Sequence, residues 1–372
     1  MTTATTTSAA RRLERLRARL EEHGLDAVLI TNAENRRYLS GFSGSAGTLL
    51  ITPAEAVIAT DFRYYEQAEQ QAPEYRLFRV GGPMAEWFHE FLAGLGGKKL
   101  GFEAADVTYD GYRAYVKAID KLPAGDRPKL TATTGLVEGL RVVKDAEELT
   151  ALQRAIDLGD AAMAHVQRLV EPGWTEKRVA WEIERYIREH GGDALSFPTI
   201  VAGGPHAALA HAQPRDRALQ AGEMVVIDMG CQVDGYMSDL TRTIFLGEPD
   251  DQFRRIYDIV AAAQRTAIET IEAGMTGDQG HMLAQAVIEE AGYGDAFGHG
   301  LGHGIGLQVH EAPRVARTSP DVLRDGMVFS IEPGIYLSGW GGVRIEDLGV
   351  LENGKVRLLS HAPRWEDLGG AA

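Results

Sequence analysis

GEMVVIDMG (222–230) and DGMVFSIEPG (325–334) each run Met-Val, then Ile, an acid, one residue and Gly. Each is preceded by a His-x-x-Pro stretch, HAQP (211–214) in one case and HEAP (310–313) in the other. Each is followed by a second acidic segment, SDLT (238–241) and IEDL (345–348). One such piece could recur by chance. Three in the same order describe a duplicated α+β domain with a pseudo-twofold axis and its site between the halves.

Each repeat ends an apolar run on a carboxylate, Asp228 after Met224–Ile227 and Glu332 after Val328–Ile331. The first acid faces a hairpin signal, because Asp234-Gly235 in CQVDGY suits a tight two-residue turn. With that turn Asp228 falls opposite Thr241. Asp239 then lies two residues along on the same sheet face, about 7–8 Å away diagonally at the backbone. Strand-end acids facing water are the competing reading of this pair. Glu332 and Glu346 repeat the oddity in the second half, and four carboxylates with His303 are too dense a negative cluster to bury without a cation. Oxygen ligands with one imidazole suit hard divalent ions, and shared carboxylates suit two of them.

GHGLGHGIG (298–306) has glycine at every second position, which disfavours helix and leaves one face of an extended strand bare. His299, Leu301, His303 and Ile305 then share the other face. A phosphate-binding glycine loop is the rival reading, but no Lys-Ser/Thr follows. His310-Glu311 is not a zincin helix, because position 314 is Arg.

The remainder of the chain sets the frame. A length of 372 residues exceeds a single core and implies two domains. A net charge of −15 argues against nucleic acid as a partner, since phosphate binding needs basic patches. Cys231 is the sole cysteine, which removes disulfide and thiolate-zinc frameworks and is compatible with a cytoplasmic location. No apolar run approaches the roughly 18 residues that cross a bilayer, and MTTATTTSAARR lacks the apolar core of a secretion signal. Residues 1–8 read as a disordered tail. Helix from Leu13, Leu16 and Leu20, then DAVLIT, GTLLIT and EAVIAT as strands, a helix at 62–71 and a strand at KKLGFE give an α/β N-terminal domain over 9–144. A long helix opens the second domain, 145–372, with further helices at 176–190, 250–273 and 278–292.

VVIDMG, SDLTRT, GHGLGHGIGLQVHEAP, SIEPGIY and GGVRIED together resemble the pita-bread metallopeptidases, the family of methionine aminopeptidase, aminopeptidase P and prolidase. YLSGFSGSAG (38–47) and TDFRYYEQA (60–68) resemble the creatinase-type N-terminal domain of its Xaa-Pro peptidases. The resemblance implies two divalent ions, manganese first with zinc or cobalt as alternatives. Asp239, His303, Glu332 and Glu346 would hold one, and Asp228, Asp239 and Glu346 the other. Such ions acidify a shared water for attack on the carbonyl before proline. Glu332 would shuttle the proton and His310 would stabilise the oxyanion, with His211 also at the catalytic centre. His211, His299, Tyr336 and Arg344 would bind substrate. The resemblance implies an Xaa-Pro aminopeptidase acting on proline-containing peptides, as a homodimer. The alternatives are an Xaa-Pro dipeptidase and, from another class, a silent peptide-binding module.

Overall fold

The structure, a computed structural model, describes residues 7–368 and divides into two compact units, Met1–Arg141 and Val142–Ala372. Most of the expected tail, residues 1–6, lies outside the described residues. Its last two residues are ordered, because the Thr7 hydroxyl caps helix α1 (Ser8–Glu22) by accepting the Ala10 N–H.

The first unit is built on strands β1 (Ala27–Ile30), β2 (Thr48–Ile51), β3 (Ala56–Asp61), β4 (Arg76–Val80), β5 (Lys99–Glu103) and β6 (Lys129–Thr133). They form one sheet in the order β4-β3-β2-β1-β5-β6, antiparallel at its centre and parallel towards both edges. The stripe Leu13, Leu16 and Leu20 of α1 is buried, as its helical spacing requires. Helices α2 (Ala33–Ser40), α3 (Tyr65–Gln71), α4 (Met84–Phe91), α5 (Tyr109–Ile119) and α6 (Glu138–Arg141) complete the unit. Phe88, Phe91 and Tyr115 from α4 and α5 share a core with Leu29, Leu50 and Leu100 of the sheet. Helix α3 begins at Tyr65 rather than at 62, because the Asp61 carboxylate accepts the Arg63 N–H and holds a turn there.

The second unit repeats one plan. Helices α7 (Ala146–Leu169) and α8 (Glu176–Glu189) serve its first half, and α9 (Asp251–Thr270) and α10 (Gly277–Glu290) its second. Asp145 and Glu148 close a reciprocal capping box at the start of α7. After β7 (Ala194–Leu195), strand β8 (Ile200–Gly203) pairs with β9 (Met224–Met229). A hairpin of β10 (Cys231–Val233) and β11 (Tyr236–Met237) then leads to β12 (Leu240–Phe245), which returns along β9. In the second half β13 (Gly302–Gly304) pairs with β14 (Glu311–Val315) and touches β15 (Val328–Ile331). The hairpin β16 (Gly334–Leu337) and β17 (Gly341–Arg344) intervenes before β18 (Asp347–Glu352) returns along β15, with β19 (Lys355–Leu358) at the edge. In both halves a central apolar strand ends on an acid, a hairpin leaves the sheet, and a second acid stands where the chain re-enters. Asp228 and Glu332 are the first acids, Asp239 and Glu346 the second.

Asp234 and Gly235 occupy the left-handed region at φ 48° and 77°, as a primed two-residue turn needs. Asp228 lies opposite Thr241, the pairing that turn implies. The glycine run departs from expectation. Only Gly302–Gly304 is strand, with a bulge after His303. A Cβ on Gly302 would stand 1.8 Å from the Ser330 carbonyl oxygen, and one on Gly304 2.1 Å from that of Ala312. These two glycines admit neighbouring backbones rather than leaving a face bare.

Candidate metal centre

Asp228, Asp239, His299, His303, His310, His211, Glu332, Arg344 and Glu346 all line one cavity of about 590 Å3. Ligand atoms of Asp239, His303 and Glu346 lie within 4.8 Å of one another. The His303 Nε2 atom stands 3.6 Å from Asp239 Oδ2 and 3.5 Å from Glu332 Oε1. Tyr336 reaches the same site through His299.

Local hydrogen bonds fix the direction of each group. The carbonyl of Gly304 lies 3.1 Å from His303 Nδ1 and so takes its N–H. Nε2 therefore turns a lone pair towards two carboxylates. The Ser330 hydroxyl donates to Glu332 Oε1 at 3.1 Å and accepts the His303 backbone N–H. The Thr241 hydroxyl donates to Glu346 Oε2 at 2.7 Å and accepts from Arg344 Nε at 3.0 Å. Arg344 also donates to Asp228, to the Ala210 carbonyl and to the Tyr336 hydroxyl. Tyr336 in turn donates to His299 Nε2 at 3.0 Å, while His299 Nδ1 gives its proton to the Gly300 carbonyl. Four of the five guanidinium N–H groups of Arg344 are thereby engaged within the protein.

Electrostatics show an unbalanced cage. Burial raises the Asp239 carboxyl well above the usual range, and the charges of Asp228 and Glu332 push the same way. Burial likewise raises Glu346 well above that range, helped by Asp239, and raises Glu332. The imidazoles of His299, His303 and His310 are all lowered by burial, so they are neutral at pH 7. Asp228 Oδ1 and Glu346 Oε1 are buried with no hydrogen-bond partner.

Residues 150–353 match the family Metallopeptidase family M24, and residues 12–143 match the Creatinase/Prolidase N-terminal domain. The chain belongs to metallopeptidase family M24. Its structure superposes on an Xaa-Pro dipeptidase from Bacillus anthracis with a TM-score of 0.92 and 41% identity, covering 96% of this chain and 98% of the other. It is also similar to an X-Pro aminopeptidase structure from Thermotoga maritima, at TM-score 0.86 and 35% identity over 95% and 98% of the two chains. A Pyrococcus horikoshii protein named Xaa-Pro dipeptidase is 34% identical over 91% of this chain and 94% of its own length. The pita-bread catalytic unit and creatinase-type N-terminal unit are thus those of M24, and the expected class, a metallo-exopeptidase, accords with this membership.

M24 membership implies divalent metal ions, and the side chains present fit them. Two orphaned carboxylate oxygens, an imidazole lone pair aimed at anions and three carboxyls raised by burial are each relieved by cations among them. The sequence reasoning placed Thr241 only as a pairing partner and did not single out Ser330. Both hydroxyls orient ligands, and their signal was proximity to the acids, Thr241 across the hairpin and Ser330 two residues before Glu332. Arg314 was also missed as a site residue. It lines the cavity beside His299 and His310, is exposed, and its guanidinium has no partner among the described residues. Phe197, Ile200 and Val309 form an apolar stretch of the wall that no motif announced.

Proposed function

We propose that this chain hydrolyses the bond before proline in Xaa-Pro dipeptides. The observation that carries the dipeptide reading is Arg314, a cation on the cavity wall whose guanidinium has no partner among the described residues. A free proline carboxylate supplies the partner it lacks. Relatives named Xaa-Pro dipeptidase support this over the aminopeptidase that the sequence led us to expect.

Asp239, His303, Glu332 and Glu346 would hold one divalent ion, and Asp228, Asp239 and Glu346 a second, with manganese the ion the family resemblance favours. When bound, such ions supply Lewis acidity and a water acidic enough to attack an amide at neutral pH. Glu332, steadied by Ser330, takes the water's proton and returns it to the proline nitrogen as the C–N bond breaks. His310 and His211 face the reacting carbonyl, and neutral His310 donates its N–H to the developing oxyanion. His299 and Tyr336 bound the proline ring. Arg344 acts as a positioning residue, because four of its five N–H donors serve Asp228, Tyr336, Thr241 and Ala210. Proline's tertiary amide brings no N–H, and a wall that requests none there accepts it. Phe197, Ile200 and Val309 suit an apolar first side chain. We also place the protein in the cytoplasm, supported by its single buried cysteine, and as a homodimer, supported by the family resemblance.

The test compares Ala-Pro with Ala-Pro-amide in the wild type and in Arg314→Met. The reading expects the free acid to be preferred by about tenfold or more in KM, as a charge-assisted bond allows, and the preference to vanish in the variant. Equal KM for acid and amide in the wild type overturns the dipeptidase reading.

A further inference from the structure

His211 sits in neither helix nor strand. After β8 ends at Gly203 the chain makes a short 3-10 turn (Gly204–Ala208), then irregular backbone that gives Ala210, His211 and Gln213 to the cavity wall. The His211 side chain is exposed and has no hydrogen bond among the described residues, so its backbone alone decides where it points. One buried carboxylate ties both ends of that segment. Glu176 opens helix α8 beside the Thr175 cap, where the helix N-terminus suits an anion. The N–H groups of Glu176 and Lys177 donate to the Arg217 and Arg215 carbonyls, which brings the far end of the segment to the start of α8. Glu176 Oε1 accepts the Gly203 N–H at 3.0 Å, and Oε2 accepts the Arg215 N–H at 2.9 Å. His206 Nδ1 donates to both oxygens, at 2.9 and 3.0 Å, from within the segment. Beyond it the Leu209 N–H donates to the His206 carbonyl and the Ala212 N–H to that of Leu209. The middle is seated on β17, where a Cβ on Gly342 would stand 2.3 Å from the Ala207 carbonyl oxygen.

Resting on the Xaa-Pro reading, we propose that Glu176 and His206 are positioning residues for that reaction, holding the 203–215 segment so that His211 faces the carbonyl before proline. Neither lines the cavity, and both are buried. The reasoning is one of constraint. A segment without a ladder of its own has many arrangements, and joining its ends on one anion removes most of them. The imidazole fixes the turn between those ends by a charge-assisted bond. Without it the 3-10 turn loses its anchor, and the Glu176 charge stays buried with backbone donors alone, so both ends relax together. A displacement of about 1 Å at His211 is enough to cost about 100-fold in rate.

The experiment measures kcat and KM on Ala-Pro for the manganese-loaded full chain, with bound manganese and amide hydrogen exchange read on each variant. His206→Phe keeps a ring without a donor and should lower kcat/KM about 10- to 100-fold, chiefly through kcat, with bound manganese unchanged. His206→Asn returns an N–H donor at the place of Nδ1 and should stay within about threefold of the wild type. Added to His211→Ala, His206→Phe should cost less than about twofold more, because nothing is left to position. Losses that multiply in the double variant, a His206→Asn no better than His206→Phe, or wild-type turnover in His211→Ala overturns the proposal and leaves the dipeptidase reading standing. Arg215 is an exposed residue, yet its N–H should exchange slowly in the wild type and lose that protection together with Gly203 in His206→Phe and Glu176→Gln. A fast Arg215 amide in the wild type overturns the tie whether or not either variant folds. If the wild type cleaves no Ala-Pro, the Xaa-Pro reading fails. Exchange across 207–213 then decides the tie: acceleration in His206→Phe but not in His206→Asn supports it, and unchanged exchange refutes it.

Discussion

Arg242 joins the two halves of the catalytic unit, and replacing it should loosen the cage without touching a ligand. Its side chain and that of Asp347 are each 2% exposed, with Nη2 2.7 Å from Asp347 Oδ1. The remaining donors reach the carbonyls of Thr241, Glu346, Ala362 and Pro363, so all five N–H groups are used. Breaking a buried ion pair by removing one partner costs about 3–5 kcal/mol. Asp347 retains Arg364 at 3.2 Å and Gln264 at 3.0 Å, which places the loss at the lower end. We predict that Arg242→Met lowers stability by about 3 kcal/mol, or roughly 6–12 °C in Tm for a unit of this size. Urea unfolding and scanning calorimetry in excess chelator measure this free of metal linkage. The double variant Arg242→Met/Asp347→Asn should recover about 1 kcal/mol or more, since no buried carboxylate is then left short of its cation and the more exposed Arg364 keeps Gln264 Oε1 at 2.6 Å. A single-variant loss below about 1 kcal/mol, or a double variant no better than the single, refutes the reasoning.

Three further outcomes are expected. Thr241→Val removes the hydroxyl between Glu346 and Arg344 and should weaken divalent-ion affinity about 10- to 100-fold with little change in fold; unchanged affinity by titration calorimetry contradicts that role. Glu332→Gln should lower kcat by about 10²- to 10⁴-fold on Ala-Pro, and wild-type turnover removes Glu332 from proton transfer. Asp160 is pushed up to about 6, chiefly by burial, from 3.8. A carboxyl raised in the folded state contributes stability in full below its ordinary pKa and loses it as pH rises through about 6. Asp160→Asn should therefore gain stability over the wild type by up to about 3 kcal/mol at pH 7.5 and little at pH 4, and an equal effect at both pH values argues against the assignment.

The cage was legible because its signals are local. Asp234-Gly235 dictated a turn, the turn dictated that Asp228 faces Thr241, and an acid ending an apolar strand recurs in each half. Asp239 sits outside the paired strand, at the re-entry before Leu240, so its approach to His303 depends on packing between halves that no local pattern encodes. The glycine run misled because alternation in sequence is the same whether a glycine bares a face or admits a carbonyl. Arg344 reads as a substrate arginine from its motif, and its sequence gives no sign that four of its five donors meet partners up to 134 positions away. The freedom of Arg314 is likewise a property of what surrounds it rather than of HEAPR. In the first unit, α2, α4 and α5 escaped the pattern reading, whereas the Leu13, Leu16 and Leu20 stripe announced itself.

The most direct measurement is the metal content of the folded chain. After loading with manganese and desalting, elemental analysis should find two ions per wild-type chain and a marked loss in Asp239→Asn, which removes one of the two carboxylates assigned to both ions. A folded wild-type chain that retains no divalent ion, or an Asp239→Asn chain that holds as much as the wild type, contradicts the account.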